Sequence, residues 1–391
     1  MKAAVAEGPR LLAHLADGPG LARHRLRHAA PGRVTVEQLA LAAEAADLRG
    51  RGGAAFPFAT KLRTAAARRG AVVVVNLSEG EPASRKDEVL ATRRPHLILD
   101  GAVLAARALG ARRVHLVLPG DKPMVRIRMT EALAEREGGD KVEWRIDTAD
   151  AGFVSGQARA VIELMSGRAN LPVTAWAPEA VSGYRGRPTL LSNAETYAQL
   201  ASIWAHGPDP ATMLITRAGD TPAAKVGEVV IGAPWGTVLS PTELERPVLL
   251  GGYHGVWVPG GALKGRRIAA EDLAGLGARL GAGVVLPLPA GSCPVHETAR
   301  IVSYLAGQSA GRCGPCKFGL PALALAVDAA DRGDGPVERI LELTGVLNGR
   351  GACAHPDGTV RLVASLQRWF GEELGIHQRE ECDYGELEAT G

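Results

Sequence analysis

Two short segments and a set of thiols supply the residue types that could do chemistry. The first segment, Leu48-Arg49-Gly50-Arg51-Gly52-Gly53-Ala54-Ala55-Phe56-Pro57, runs through Thr60 and Lys61 into a helical pattern. Closely spaced glycines let backbone N–H groups approach a phosphate, and a nearby lysine adds a point charge. The spacing fits neither a Walker A loop nor the dinucleotide G-x-G-x-x-G pattern, so a plain turn explains it equally well. The second segment, Asn76-Leu77-Ser78-Glu79-Gly80-Glu81-Pro82, directly follows the β-branched run Val72 to Val75. Ligands of open α/β sheets bind just beyond the carboxyl ends of strands. Amide and carboxylate side chains there could hydrogen-bond the hydroxyls of a ribityl or ribose chain; a solvated acidic loop is the plain alternative. The thiols are Cys293, Cys313, Cys316, Cys353 and Cys382. In a reducing compartment, thiols gathered late in a chain point to metal or redox chemistry more than to disulfides. No Ser/His/Asp triad or metal-hydrolase motif is recognisable.

The elements that must position these groups follow from hydrophobic periodicity. Residues 36–48 read as an amphipathic helix ending at the glycine turn. Apolar strands at Val72 to Val75, Val114 to Leu118 and Val142 to Ile146 alternate with helices at Leu97 to Leu109 and Val125 to Arg136, and residues 157–166 read as one more helix. Short continuous apolar strands between helices indicate a parallel sheet covered on both faces. From residue 207 the texture changes to short β-type stretches at Val226 to Ile231, Val248 to Leu250, Gly255 to Val258 and Gly283 to Leu288, which read as a small α+β module. Helical patterns return at Glu297 to Ala306, Pro321 to Asp331, Val337 to Leu347 and Val360 to Leu374, a helical bundle. The expected class is α/β, divided into residues 1–206, 207–292 and 293–391.

With 391 residues the chain is long enough for several domains, and its net charge of +3 argues for neither a nucleic acid nor an anionic membrane as partner. No apolar run approaches the roughly 20 residues of a membrane helix. The start, MKAAVAEGPRLLAHLADG, has charges where a signal peptide carries its apolar core, so a cytoplasmic location is expected, at most peripheral to a membrane complex.

Taken in order, these segments resemble the NADH-binding flavoprotein subunit of respiratory complex I, a family shared with NAD-linked hydrogenases and formate dehydrogenases. Its first loop reads G-R-G-G-A-G-F-P-T-G-x-K-W and its second N-A-D-E-G-E-P-G followed by K-D. The run Gly50 to Pro57, Lys61, Asn76, Glu79, Gly80, Glu81, Pro82, Lys86 and Asp87 correspond. Val181 to Thr189 is similar to G-L-x-G-x-P-T, and Ser192-Asn193-Ala194-Glu195-Thr196 to N-N-V-E-T. The resemblance implies a Rossmann-like domain holding FMN, with Gly50, Arg51, Gly52, Gly53 and Lys61 along the loop. Asn76, Ser78 and Glu79 would contact the flavin chain, and Asn193 and Thr196 would lie near its phosphate. It further implies that residues 207–292 form a soluble-ligand-binding β-grasp (SLBB) module and residues 293–391 an iron–sulfur-binding bundle.

Two departures stand out. The family's cluster motif S-C-G-x-C-x-P-C-R is here Ser309-Ala310-Gly311-Arg312-Cys313-Gly314-Pro315-Cys316-Lys317, with Cys353 downstream. Three ligand positions, Cys313, Cys316 and Cys353, are kept, but Ala310 cannot coordinate iron, and a cubane takes four ligands. A [4Fe–4S] cluster with a substitute ligand (Cys293, Cys382, His355 or Ser309), a [3Fe–4S] cluster, zinc, or buried thiols without metal all remain open. The family's Y-x-C-G-E-E-T-A is here Phe153-Val154-Ser155-Gly156-Gln157-Ala158-Arg159-Ala160, so Gly156 is retained and two carboxylates that line the NADH–flavin pocket are lost. Phe56 keeps one side of an aromatic clamp, whereas the other position is Thr64. Each loss weakens dinucleotide binding by about 1–3 kcal/mol, leaving Glu81 as the acid expected near the nicotinamide.

The function implied is hydride uptake from NADH onto FMN and single-electron transfer to an iron–sulfur cluster and on to a ferredoxin-like or thioredoxin-fold subunit. The alternatives are a flavin electron-transfer subunit that no longer uses NADH, or a non-catalytic scaffold. His377 and Cys382, near the end of the chain, read as peripheral.

Overall fold

The computed structural model describes residues 3–219, 224–378 and 382. They form two compact units. The first takes the described residues of Met1–Gly80, Ser84–Thr216 and Lys225–Ile231; the second takes those of Glu81–Ala83, Arg217–Ala224 and Gly232–Gly391.

In chain order the first unit carries β1 (Ala4–Val5), α1 (Leu21–Arg25), α2 (Val36–Ala45), α3 (Phe58–Ala66), β2 (Val72–Asn76), α4 (Lys86–Arg93) and α5 (Pro95–Leu109). It continues with β3 (Arg113–Pro119), α6 (Pro123–Ala134), β4 (Glu143–Ala149), α7 (Ala158–Met165), β5 (Thr189–Asn193), α8 (Ala194–His206), β6 (Thr212–Arg217, whose last residue counts with the second unit) and β7 (Lys225–Val230). Strands β2 to β5 make a parallel sheet in the order β4-β3-β2-β5. Chain order reverses between β2 and β5, the arrangement that opens a ligand crevice at strand carboxyl ends. Strand β2 is four valines and an asparagine, buried throughout. Val73 and Val75 join one apolar core with α2, α3, α5 and α8; Val72 and Val74 join another with α7. Both faces are covered, as the unbroken valine run predicts.

Local chemistry sets the helix ends. A reciprocal capping box between Thr35 and Gln38 starts α2. Asn193 caps α8 by accepting from the Glu195 N–H at 3.0 Å. Helix α8 crosses α5 so closely that a Cβ on Gly101 would lie 1.9 Å from the Tyr197 carbonyl oxygen. The Tyr197 hydroxyl donates to the Leu190 carbonyl at 2.7 Å and holds α8 against β5. The helix's first turn therefore has a fixed place beside the strand ends.

The second unit contains β8 (Pro247–Leu250), β9 (Val256–Pro259), α9 (Ala270–Ala274), β10 (Val284–Pro287), α10 (Pro294–Gly307), α11 (Leu320–Asp331), α12 (Val337–Leu347) and α13 (His355–His377). Strand β8 pairs antiparallel with both β9 and β10. Trp257 of β9 is core: its indole N–H donates to Thr298 of α10, and its backbone N–H donates to Ser365 Oγ of α13, each at 2.8 Å. The β-rich stretch and the bundle thus share one unit. Pro315–Gly319 forms a single π-helical turn, an irregularity that often marks functional sites.

Candidate functional site

The first loop closes on itself. Gly50 N–H donates to the Phe56 carbonyl at 2.9 Å, Phe58 N–H to the Leu48 carbonyl at 2.9 Å, and Arg49 bridges Pro57. The residues between form a turn that lies across the start of α8. Arg51 N–H donates to Thr196 Oγ1 at 3.0 Å, and a Cβ on Gly52 would stand 3.4 Å from the Asn193 Cβ. Gly53 adopts φ +104° with open space where a Cβ would point. One member of the matched run departs from the family pattern: Ala55 occupies a glycine position at φ +51°. Phe56 is 48% exposed at the loop's end.

The second loop begins where β2 ends. Asn76 faces Asn193 across the β2–β5 register, at the reversal of strand order. Its amide donates to the Gly156 carbonyl at 2.7 Å and accepts from Ser78 N–H at 3.0 Å. Loops 76–80 and 152–156 pack backbone to backbone. A Cβ on Gly156 would meet the Ser78 carbonyl at 2.2 Å, and one on Gly80 would meet the Phe153 carbonyl at 2.4 Å.

Beneath both loops lies a buried charge network. Lys86 Nζ reaches Asp87 at 2.8 Å, Asn193 Oδ1 at 3.0 Å and Glu195 at 3.2 Å, while Asn193 Nδ2 donates to Asp87 at 2.5 Å. Glu195 accepts from Leu214 N–H at 2.8 Å. Burial pushes the Asp87 carboxyl up, against the pull of Lys86, to about 6. Glu79 accepts from Ser84, from Asp87 N–H and from Lys122. Burial alone would raise its pKa, but Lys122 and Lys86 hold it below the usual carboxylate range. Lys86, Asp87 and Glu195 are not expected from the sequence to do more than match a motif, yet Lys86 and Asp87 fix Asn193 at the crevice.

Several expected contacts are spoken for inside the protein. Lys61 donates to the Leu191 carbonyl at 3.0 Å, and burial lowers its pKa. Arg159 pairs with Glu179 at 3.0 Å and donates to the carbonyls of Ala177 and Ser182, so it stabilises a neighbouring loop. Glu81 belongs to the second unit, where its carboxylate accepts from Tyr253 N–H at 2.8 Å and Ala83 N–H at 3.2 Å.

The crevice fits a flavin phosphate and its polar chain. A glycine turn presents amides over a 13-residue helix's N-terminus. Arg51 Nε, a donor, is buried there without a hydrogen-bond partner.

In the second unit the thiols sort themselves into two groups. Cys313 accepts from the backbone amides of Ala352 and Cys316; burial alone would raise its pKa, and these donors bring it below the ordinary thiol value. Cys316 is pushed up to about 11 by burial, by Cys313 and by Cys353. The buried Ser309 hydroxyl stands beside Cys316 with no conventional partner. Among the proposed substitutes for the missing cysteine, His355 has both ring nitrogens engaged, to Leu305 O at 2.8 Å and His254 at 3.0 Å. Cys293 and Cys382 join Glu373 and His377 instead. Of the four, Ser309 stands beside Cys316, and three thiols with a neighbouring hydroxyl fit an iron–sulfur cluster. His377 is buried, so it is not peripheral as its position near the chain's end suggests.

Residues 43–202 match the family described as the Nuo51 FMN-binding domain, and residues 296–377 match the NADH-ubiquinone oxidoreductase-F iron-sulfur binding region. Among relatives, the second F subunit of the NADH-quinone oxidoreductases of Rhizobium meliloti (strain 1021) is 25% identical over 390 residues, covering 91% of this chain and 92% of that one. The NADH-quinone oxidoreductase F subunit of Escherichia coli (strain K12) is 27% identical over 371 residues, covering 85% and 83%. A solved structure of NAD+-reducing [NiFe]-hydrogenase in the air-oxidized state superposes with a TM-score of 0.85 at 26% identity, covering all of this chain and 71% of that one.

Proposed function

Because the chain belongs to the family of FMN-binding flavoproteins found in NADH-quinone oxidoreductases, we propose that it is an NADH oxidoreductase component of a multi-subunit redox complex. FMN, when bound, converts the two electrons of a hydride from NADH into single electrons for an iron–sulfur centre. The protein's own residues supply binding and orientation. Gly50 closes the turn and Arg51 ties it to Thr196, so that Gly52 and Gly53 direct amides, together with the positive end of α8, at the phosphate. Asn76, Ser78 and Gly156 shape the wall along the ribityl chain, with Glu79 and Asn193 fixed beneath it by the buried charges. Phe56 offers a stacking face for the dinucleotide, and Lys61 adds positive charge behind the loop. Cys313, Cys316, Cys353 and Ser309 hold the cluster. Glu81 is the acid we assign to the nicotinamide side. The functional division is residues 1–206 for FMN, 207–292 as SLBB module and 293–391 for the cluster.

The observation that carries this reading is the meeting of the glycine turn, Asn76 and Asn193 where strand order reverses. Reconstitution of the purified chain with FMN, followed by anaerobic stopped-flow mixing with NADH, tests it. Visible flavin absorbance that bleaches rapidly is expected; absence of bound flavin overturns the assignment. Bound flavin that NADH fails to bleach supports a second reading, electron transfer without NADH, favoured by Gln157-Ala158 in place of two carboxylates. A ferredoxin-like or thioredoxin-fold protein is the proposed electron acceptor. Among the described residues no helix is long and apolar enough to cross a membrane.

A further inference from the structure

The second group of thiols lies outside the glycine turn, the acidic loop and the Ser309–Lys317 motif. Cys293 immediately precedes α10, Glu373 and His377 sit one turn apart near the end of α13, and Cys382 follows shortly after. One ligand atom from each lies within 4.8 Å of all the others. Cys293 Sγ is 3.2 Å from His377 Nε2 and 4.0 Å from Glu373 Oε1. Zinc–sulfur and zinc–nitrogen bonds of about 2.3 and 2.0 Å at the tetrahedral angle separate such ligands by about 3.5 Å. The measured spacings bracket that value.

We propose that Cys293, Glu373, His377 and Cys382 form a mononuclear zinc site that ties the start of α10 to the end of α13 and to Cys382. Two thiolates, an imidazole and a carboxylate suit a borderline-soft divalent ion, and four protein ligands make a closed, structural site. The outer partner of the histidine is already in place. His377 Nδ1–H donates to the Asp331 carbonyl at 2.7 Å, which leaves Nε2 as the lone-pair nitrogen facing Cys293. Cys293 and His377 are buried and Glu373 and Cys382 half-buried, so the group is a built pocket. Both thiols are free, so no disulfide accounts for their approach.

The experiment is metal analysis of the full-length chain purified without chelator, beside two variants. Wild type is expected to carry about one zinc per chain. The C313S/C316S/C353S variant should retain it, and C293A/C382A should lose it. Cobalt(II) exchanged into wild type should give thiolate-to-metal charge-transfer absorption, weakened by roughly half in C382S, a milder change at a half-buried position that keeps the test valid if the double variant fails to fold. Zinc that disappears with C313S/C316S/C353S yet survives C293A/C382A overturns the assignment. So does an intact-mass measurement showing Cys293 and Cys382 joined as a disulfide in metal-free protein.

Discussion

At the scale of single residues, close backbone approaches and buried charges decide whether the crevice exists. Ala at Gly156 places a Cβ 2.2 Å from the Ser78 carbonyl, and neither loop is a flexible side chain that can step aside. G156A should cost about 1–3 kcal/mol of stability and sharply weaken FMN binding, whereas G261A, with nothing within 4 Å, should change neither. Fluorescence titration with FMN and urea melts of both variants check this; equal affinities would remove the two-loop wall from the site. Lys86 is only 2% exposed and faces Asp87 and Glu195. K86M leaves two buried acids without their cation, a change worth about 3–5 kcal/mol. Adding D87N should restore part of that loss, since Asp87 already sits near 6 and neutralises readily. A urea midpoint for K86M matching wild type would refute the network's role. At the cluster, S309A removes the hydroxyl beside Cys316, while A310C restores the family's thiol. Iron and sulfide content should fall in S309A and reach four irons per chain in A310C, read with EPR; iron unchanged in S309A would exclude the hydroxyl as a ligand.

At the scale of elements, a histidine cluster near the N-terminus gives the fold an acid-labile corner. His24 of α1 stacks on His28 and bonds Asp100 of α5 at 2.8 Å, and His28 bonds His206 of α8 at 3.0 Å. Burial holds these imidazoles neutral, with His28 drawn down to about 3 from an ordinary 6.5, and His96 of α5, whose ring lies 5.5 Å from that of His24, to about 4. In the unfolded chain they protonate near 6.5, so below that pH the unfolded state binds more protons and stability falls toward pH 4. Asp100 extends the loss to lower pH. Its burial alone would raise it, but Arg25, His24 and Arg136 hold it well below the carboxylate range. The urea midpoint should therefore drop between pH 7 and pH 4.5, less steeply in H28N; identical slopes would refute the cluster's part.

The same scale separates what is legible in the sequence from what is hidden there. Strands β2 and β3 and helices α5 and α12 are readable because their apolar residues run continuously or at helical spacing. Strand β5 and helix α8 are not. The strand reads Thr189-Leu190-Leu191-Ser192-Asn193, as long as β2 but too polar to stand out, and α8 is buried almost all round, leaving no amphipathic stripe. Those two elements carry Asn193, Glu195 and Thr196, so the part of the crevice we assign to the phosphate is visible only as a family motif. The Cys293–His377 pairing is hidden for another reason: its partners lie 84 residues apart and meet only through bundle packing.

At the scale of the whole molecule, the redox chemistry is divided between two compact units. The crevice residues Gly50–Lys61, Asn76–Glu79, Gly156 and Asn193–Thr196 all fall in the first, and every cysteine falls in the second. A ligand that binds only the folded first unit adds RT ln(1 + [L]/Kd), about 2.7 kcal/mol at a hundredfold excess over Kd. For a unit of this size each kcal/mol raises the melting temperature by roughly 2–4 °C. Differential scanning calorimetry with FMN should accordingly move the unfolding of the first unit upward by about 5–10 °C. The same measurement on G156A should show that shift shrink. A melting profile of the unsubstituted chain that saturating FMN leaves unchanged would refute the crevice as the flavin site.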